Sequence, residues 1–160
     1  MQLIKWYDEK GRKYTDDEMY LCLSDLKLGA VFISGPTMSG KTSMLKRIQA
    51  DNESEMSIIT DEYLVNYIFR SCINGSVKEK DFSEKTGRKI LAIEDIDFLR
   101  DKEATQKEAG NILNELLREE KVIIITGIEL KKRVPYLIDT MRKNTAKFFE
   151  FSNDSEGEYL

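Results

Sequence analysis

Residues 31–45 read VFISGPTMSGKTSML. A run of β-forming apolar residues breaks at Gly35, and Gly40-Lys41-Thr42 opens a stretch with helical periodicity. Gly35-Pro36-Thr37-Met38-Ser39-Gly40-Lys41-Thr42 fits the pattern G-x-x-x-x-G-K-[ST] without a gap. Each part of that pattern answers a need of phosphate binding. Successive backbone N–H groups must converge on phosphate oxygens, and bulky side chains would block the approach. Gly35 and Gly40 supply the backbone freedom, and the helix opening at Lys41 turns its unpaired N–H groups and positive dipole end to the anion. Lys41 is placed to span the β- and γ-phosphates, and Thr42 to ligate Mg²⁺. The pattern lies between a buried-strand sequence and a helical one, the context that separates a true phosphate loop from a chance match. Residues 35–43, closing at Ser43, are therefore assigned to nucleotide phosphates, with ATP or ADP and Mg²⁺ as the expected ligands.

Working outward, AVFIS at 30–34 suits a strand buried on both faces, and a helix is expected from Lys41 to about Ala50. MSIIT at 56–60 reads as a second strand, followed by a helix from Asp61 with Leu64, Tyr67 and Ile68 on one face. The polar stretch 74–88, NGSVKEKDFSEKTGR, reads as a loop. KILAIED at 89–95 is a third buried strand, 105–120 an amphipathic helix, KVIIITG at 121–127 a fourth strand, and KFFEF at 147–151 a fifth. Pro135 is set to start a short helix. Upstream, residues 1–14 form an arm or small hairpin turning at Glu9-Lys10-Gly11, and Thr15 to Glu18 has capping-box spacing. Strands alternating with helices predict an α/β fold with a mainly parallel five-stranded sheet and helices on both faces, the three-layer P-loop arrangement.

The strand Lys89–Asp95 ends in Glu94 and Asp95 on the sheet edge that carries the phosphate loop. That edge is where a P-loop protein holds Mg²⁺ and the attacking water. Glu94 takes the metal-side position and Asp95 the water-polarising one, with Asp97 as a candidate cap for the next turn of chain. The alternative is a pair of solvated charges at a strand end.

Composition excludes several classes. The 160 residues suit one domain and are too few for two good cores. With 41% hydrophobic and 34% charged residues, the chain reads as globular with a heavily solvated surface. A net charge of −4 gives no global field toward nucleic acid. No histidine is present, which removes histidine acid–base chemistry and the usual zinc sites. Cys22 and Cys72 are too far apart in sequence for a metal motif. No apolar leader and no membrane-length apolar segment is seen, so a cytoplasmic protein without membrane contact is expected.

Three segments together carry a more specific likeness: VFISGPTMSGKTSMLKRI, IITDEYLVNYI, and ILAIEDIDFLRDKEATQKEAGNILNELLREEKVIIITG. Over about residues 30–130 the chain resembles the AAA+ ATPase domain of the DnaA-type replication initiators with their helicase-loader and regulator relatives. The acidic strand followed by Phe98-Leu99, Thr105-Gln106 and a long helix is its selective part. The resemblance implies an AAA+ base domain that binds ATP-Mg²⁺, acts in DNA replication, and assembles with copies of itself or with another AAA+ or replication protein. It also implies that Thr126 is similar to the polar sensor that watches the γ-phosphate, though a threonine there equally suits a plain strand end.

The family continues after its last strand into a helical lid with a sensing arginine, and initiators add a DNA-reading module. This chain runs only to SNDSEGEYL at 152–160, expected to be a disordered tail. The family's trans-acting arginine falls near Asn144, with Arg142 as nearest substitute. A possible ATPase of low turnover is the resulting expectation, and its rival is a non-hydrolysing regulatory module acting through protein contacts. A P-loop kinase would carry an arginine-rich lid where residues 101–110 read DKEATQKEAG. The basic residues Lys131-Lys132-Arg133, Arg142-Lys143 and Lys147 read first as a solvated face. Their functional reading is a weak, sequence-blind DNA contact. Trp6, Tyr7 and Tyr14 are set either to stack on a base or to pack in the core.

Overall fold

The computed structural model describes residues 3–74, 80–142, 146–151 and 158–159. The chain opens with β1 (Leu3–Asp8), β2 (Lys13–Thr15) and α1 (Asp16–Ser24), followed by β3 (Gly29–Ser34) and α2 (Lys41–Asp51). Next come β4 (Met56–Thr60), α3 (Asp61–Asn74), α4 (Lys80–Thr86), β5 (Ile90–Ile96) and α5 (Glu103–Leu117). The chain then forms β6 (Val122–Gly127), α6 (Leu130–Arg133), α7 (Pro135–Met141), β7 (Ala146–Phe151) and β8 (Glu158–Tyr159).

The five expected strands are all present and stand in the order β7-β3-β6-β5-β4, every neighbouring pair parallel. Side chains alternate across this sheet with period two. Phe32, Leu91, Ile93, Ile123 and Ile125 face the core built with α3, α4, α5 and α7, while Val31, Ile33, Ala92, Val122 and Ile124 face that built with α1 and α2. Because both faces are covered, the central strands are near-continuous apolar runs, as the sequence pattern required. Each fully buried Leu, Ile or Phe contributes about 1.5–3 kcal/mol.

The expected count of five strands needs one correction. Among the described residues the sheet has eight strands, because the amino-terminal hairpin adds β1 antiparallel to β7, with β2 and β8 both paired to β1. The arm is therefore part of the sheet. Trp6 is 1% exposed, donates Nε1–H to Asp16 Oδ1 at 2.9 Å, and meets the Phe151 ring edge-on. Tyr14 packs likewise on Phe149. Both rings are in the core, and the hairpin covers an edge of β7 that would otherwise offer unpaired backbone groups. Of the tail at 152–160, residues 152–157 and 160 lie outside the described residues. The capping box is formed, with Thr15 Oγ1 accepting from the Glu18 amide and Glu18 Oε1 from the Thr15 amide.

The stretch 74–88 is a second correction. It contains α4, held by one aromatic residue and one lysine. Phe82 stacks on Tyr67 with ring centroids 3.6 Å apart, and the Lys121 ammonium donates to the carbonyls of Thr86 and Arg88. A helix with so few apolar residues leaves no periodic trace in sequence.

Two buried polar residues hold the loop after β5. Asp61 Oδ2 accepts the amides of Asp97 and Leu99 at 3.0 and 3.1 Å. Gln106, fully buried in α5, donates Nε2–H to the Leu99 carbonyl at 2.7 Å and accepts the Tyr136 and Leu137 amides at the start of α7. α5 and α7 approach closely at Gly110, where a Cβ would stand 2.7 Å from Thr140 Cγ2.

Candidate nucleotide site

The loop between β3 and α2 lies at the carboxyl ends of the parallel strands, the crevice where open α/β sheets take ligands. Its start is tied to β6 by the Gly35 amide donating to the Gly127 carbonyl at 3.0 Å. At its end Gly40 has φ +100°, a backbone state that favours glycine, and no side chain caps α2. The opening N–H groups of α2 are thus left for a ligand. Gly35 has a different reason to be glycine: a Cβ there would meet Ser39 Oγ at 2.8 Å and Phe151 Cβ at 2.9 Å.

Lys41 is folded inward and only 4% exposed. Its ammonium donates to the Gly35 carbonyl at 2.5 Å, the Pro36 carbonyl at 2.8 Å and Ser39 Oγ at 3.3 Å. Burial lowers its pKa below the ordinary lysine value, and the Asp95 carboxylate partly offsets this.

A cavity of about 650 Å³ opens in front of the loop, lined by Thr37, Met38, Gly40, Lys41, Thr42 and Ser43. Asp95, Ile96 and Asp97 close it from the end of β5, and Ile128 and Arg133 from beyond β6. Most of the loop expected to cradle phosphate therefore faces one space together with Asp95. Gly35 and Pro36 line an adjoining cavity of about 360 Å³, and Ser39 is buried under Lys41.

The acidic strand end is bent. β5 shifts register against β6 between Ile93 and Ile96, and Asp95 has φ +50°, unusual for any residue but glycine. The bulge re-aims Asp95 into the cavity. Glu94 stays in register beside Thr60 of β4 and does not line the cavity. Thr126, fully buried at the end of β6, lies beneath the bulge, with its Oγ1 accepting the Asp95 amide at 3.0 Å. Its hydroxyl supports the carboxylate's backbone.

The basic run divides. Lys131 donates to Glu9 Oε1 at 3.2 Å, Lys132 lies 3.8 Å from Glu129, and Arg133 donates to Asp97 Oδ1 at 3.1 Å inside the cavity. Asp97 thus serves as a partner for Arg133. Arg142 stands 3.6 Å from Glu9 and over the Phe148 ring, away from this cavity. Residues 143–145, with Asn144, lie outside the described residues. Sequence reasoning missed Arg133 as a site residue, since nothing in a Lys-Lys-Arg run says which side chain turns inward.

The parallel sheet, the loop at its carboxyl edge and the acids on the next strand but one define a P-loop α/β domain of the AAA+ type. A family model described as the bacterial DnaA ATPase domain matches residues 23–151. The chain belongs to that family. It is 30% identical over 112 residues, 67% of its length, to the chromosomal replication initiator protein DnaA of Latilactobacillus sakei, and spans about a quarter (25%) of that relative. Among solved structures it resembles domain III of the Thermotoga maritima replication initiation protein DnaA, with TM-score 0.63, 24% identity, and coverage of 84% of this chain and 60% of that one. It also resembles a replication initiator DnaA bound to AMPPCP and single-stranded DNA, with TM-score 0.58, 22% identity, and coverage of 86% and 45%.

Proposed function

We propose that this domain binds ATP with Mg²⁺ and acts in the cytoplasm in DNA replication, as an initiator-related or helicase-loader-related factor with slow hydrolysis. The observation that carries the reading is the meeting of Lys41, Thr42 and Asp95 on one cavity before the uncapped start of α2. Lys41 already uses oxygen acceptors of its own loop, and phosphate oxygens are stronger acceptors for the same ammonium. Among the described residues no cluster of three or more acidic, His or Cys side chains is set to hold a metal by itself. Mg²⁺ fits such a site, since it is commonly held by one or two protein oxygens together with substrate phosphates and waters. Here those oxygens would be Thr42 and the acidic pair, with Asp95 the one that faces the cavity. The metal supplies charge neutralisation on the phosphates when bound.

The AMPPCP bound to a structural relative supports the choice of ATP, and the single-stranded DNA in the same complex supports a DNA contact by this family's fold. The contact proposed for this chain is weak and sequence-blind, and self-association or pairing with another replication protein is part of the reading. A non-hydrolysing regulatory module is the second reading. It is favoured by Arg142, which engages Glu9 of its own chain.

The test is thermal denaturation with ATP, with and without EDTA. Ligand that binds only the folded form raises Tm. The rise is expected to require Mg²⁺, to shrink in Thr42→Ala and to vanish in Lys41→Ala. No rise with ATP-Mg²⁺ in the wild type rejects nucleotide binding, and an equal rise in EDTA rejects the metal.

A further inference from the structure

We propose that Arg133 is the residue by which this site distinguishes a nucleoside triphosphate from a diphosphate, exchanging the Asp97 carboxylate for the terminal phosphate. The inference rests on the nucleotide reading above and adds to it a specificity-determining cation within the same domain. Arg133 lines the cavity shared by Lys41 and Thr42, and its side chain is 22% exposed against 70% for its partner Asp97. An ion pair with one partner so exposed is weak, so it releases readily. A terminal phosphate offers more charge than a carboxylate and the same bidentate geometry for a guanidinium.

The position of Arg133 is built. The turn α6 that carries it is pinned at its start by the Leu130 amide donating to Ser34 Oγ at 3.1 Å, on the very strand that feeds the phosphate loop. At its end the Arg133 carbonyl accepts from Gln106 Nε2 at 3.4 Å. Glu129, entering the turn at φ +45°, fixes the direction of the chain. Asp97 is held as well, through its amide on the buried Asp61 carboxylate. Both members of the pair stand on fixed backbone, so release of the pair moves side chains only. Lys131 and Lys132, next in sequence, engage Glu9 and Glu129 instead, which leaves Arg133 as the member of the run that enters the cavity.

Titration of the full chain with ATP and with ADP, each with Mg²⁺, tests this in the wild type, Arg133→Ala and Asp97→Asn. The wild type is expected to prefer ATP. Arg133→Ala is expected to bind ATP about ten- to a hundredfold more weakly while ADP affinity stays within about twofold, the range of one charge-assisted contact. Asp97→Asn frees the guanidinium and is expected to raise the ATP-to-ADP ratio severalfold; this variant also decides the matter if Arg133→Ala does not fold. A wild-type ATP-to-ADP ratio in Arg133→Ala, an equal loss of both ligands, or an unchanged or lowered ratio in Asp97→Asn overturns the inference. Binding of neither nucleotide by the wild type rejects the underlying reading, a result separable from these.

Discussion

The hydroxyl of Thr126 accepts the backbone amide of Asp95 at 3.0 Å, so a buried residue at the end of β6 holds the bulge that turns the cavity's carboxylate toward Lys41. Thr126→Val keeps the shape and removes the acceptor. Leaving the partly buried amide of the left-handed Asp95 unpaired should lower stability by about 1–2 kcal/mol, while Thr126→Ser, which keeps the oxygen, should stay close to wild type. Urea unfolding of the three proteins checks this, and equal stability of Thr126→Val and wild type would show that the hydroxyl supports nothing.

Lys41 titrates below an ordinary lysine because it is buried. Phosphate beside it favours the charged form, so binding draws on protonated Lys41. ATP affinity should be full below the depressed pKa of the free site and fall as pH rises through it, before ordinary lysines lose their protons. Calorimetric titration across alkaline pH, in buffers of different ionisation enthalpy, should detect proton uptake. Lys41→Ala should lose ATP affinity by roughly ten- to over a hundredfold and show no such uptake.

Turnover by these 160 residues alone should be slow, below about one per minute against an enzyme median of roughly ten per second. Charge that grows on the transferring phosphoryl group is met in many NTPases by an arginine from a neighbour. Arg142 packs over the Phe148 ring beside Glu9 of its own chain, away from the cavity, so Arg142→Ala should leave the slow turnover of the dilute protein unchanged. Phosphate release measured over a dilution series is the check. Brisk turnover at low concentration would restore a competent ATPase, and a rate that rises with concentration and drops in Arg142→Ala would assign a trans role.

The contact of α5 with α7 sets a stability prediction. Alanine normally favours a helix interior over glycine by about 1 kcal/mol. At Gly110 the added Cβ would stand 2.8 Å from Thr140 Cβ, an atom that moves only with its backbone. Gly110→Ala should therefore destabilise by about 1–3 kcal/mol. In a Thr140→Gly background, which removes both the Cβ and the Cγ2 of that contact, the same change should become neutral or stabilising, and thermal unfolding of the double-mutant set reads the sign reversal.

What the sequence determined by itself is what consecutive residues encode. The loop pattern is Gly35, Gly40, Lys41 and Thr42 at fixed spacing, and the strands on either side of it are apolar on both faces. The capping box at Thr15–Glu18 is likewise local. These signals survive without knowledge of neighbours, because backbone freedom, period and spacing are properties of a short stretch. The tertiary structure decided everything that depends on what a stretch is docked against. α4 is held by contacts from other elements, Tyr67 opposite the Phe82 ring and Lys121 on the carbonyls of Thr86 and Arg88 at its end. The amino-terminal hairpin joins the sheet only because β7 offers it an edge. The sequence pattern gives Glu94 the metal side and Asp95 the water side, and a bulge pinned by Thr126 brings Asp95, not Glu94, to the cavity. Lys131, Lys132 and Arg133 are three like charges on a single turn of helix. Which of them lines the cavity beside Lys41 is set by how that turn is rotated, and its rotation is fixed by Ser34 at one end and Gln106 at the other, residues far away in the chain.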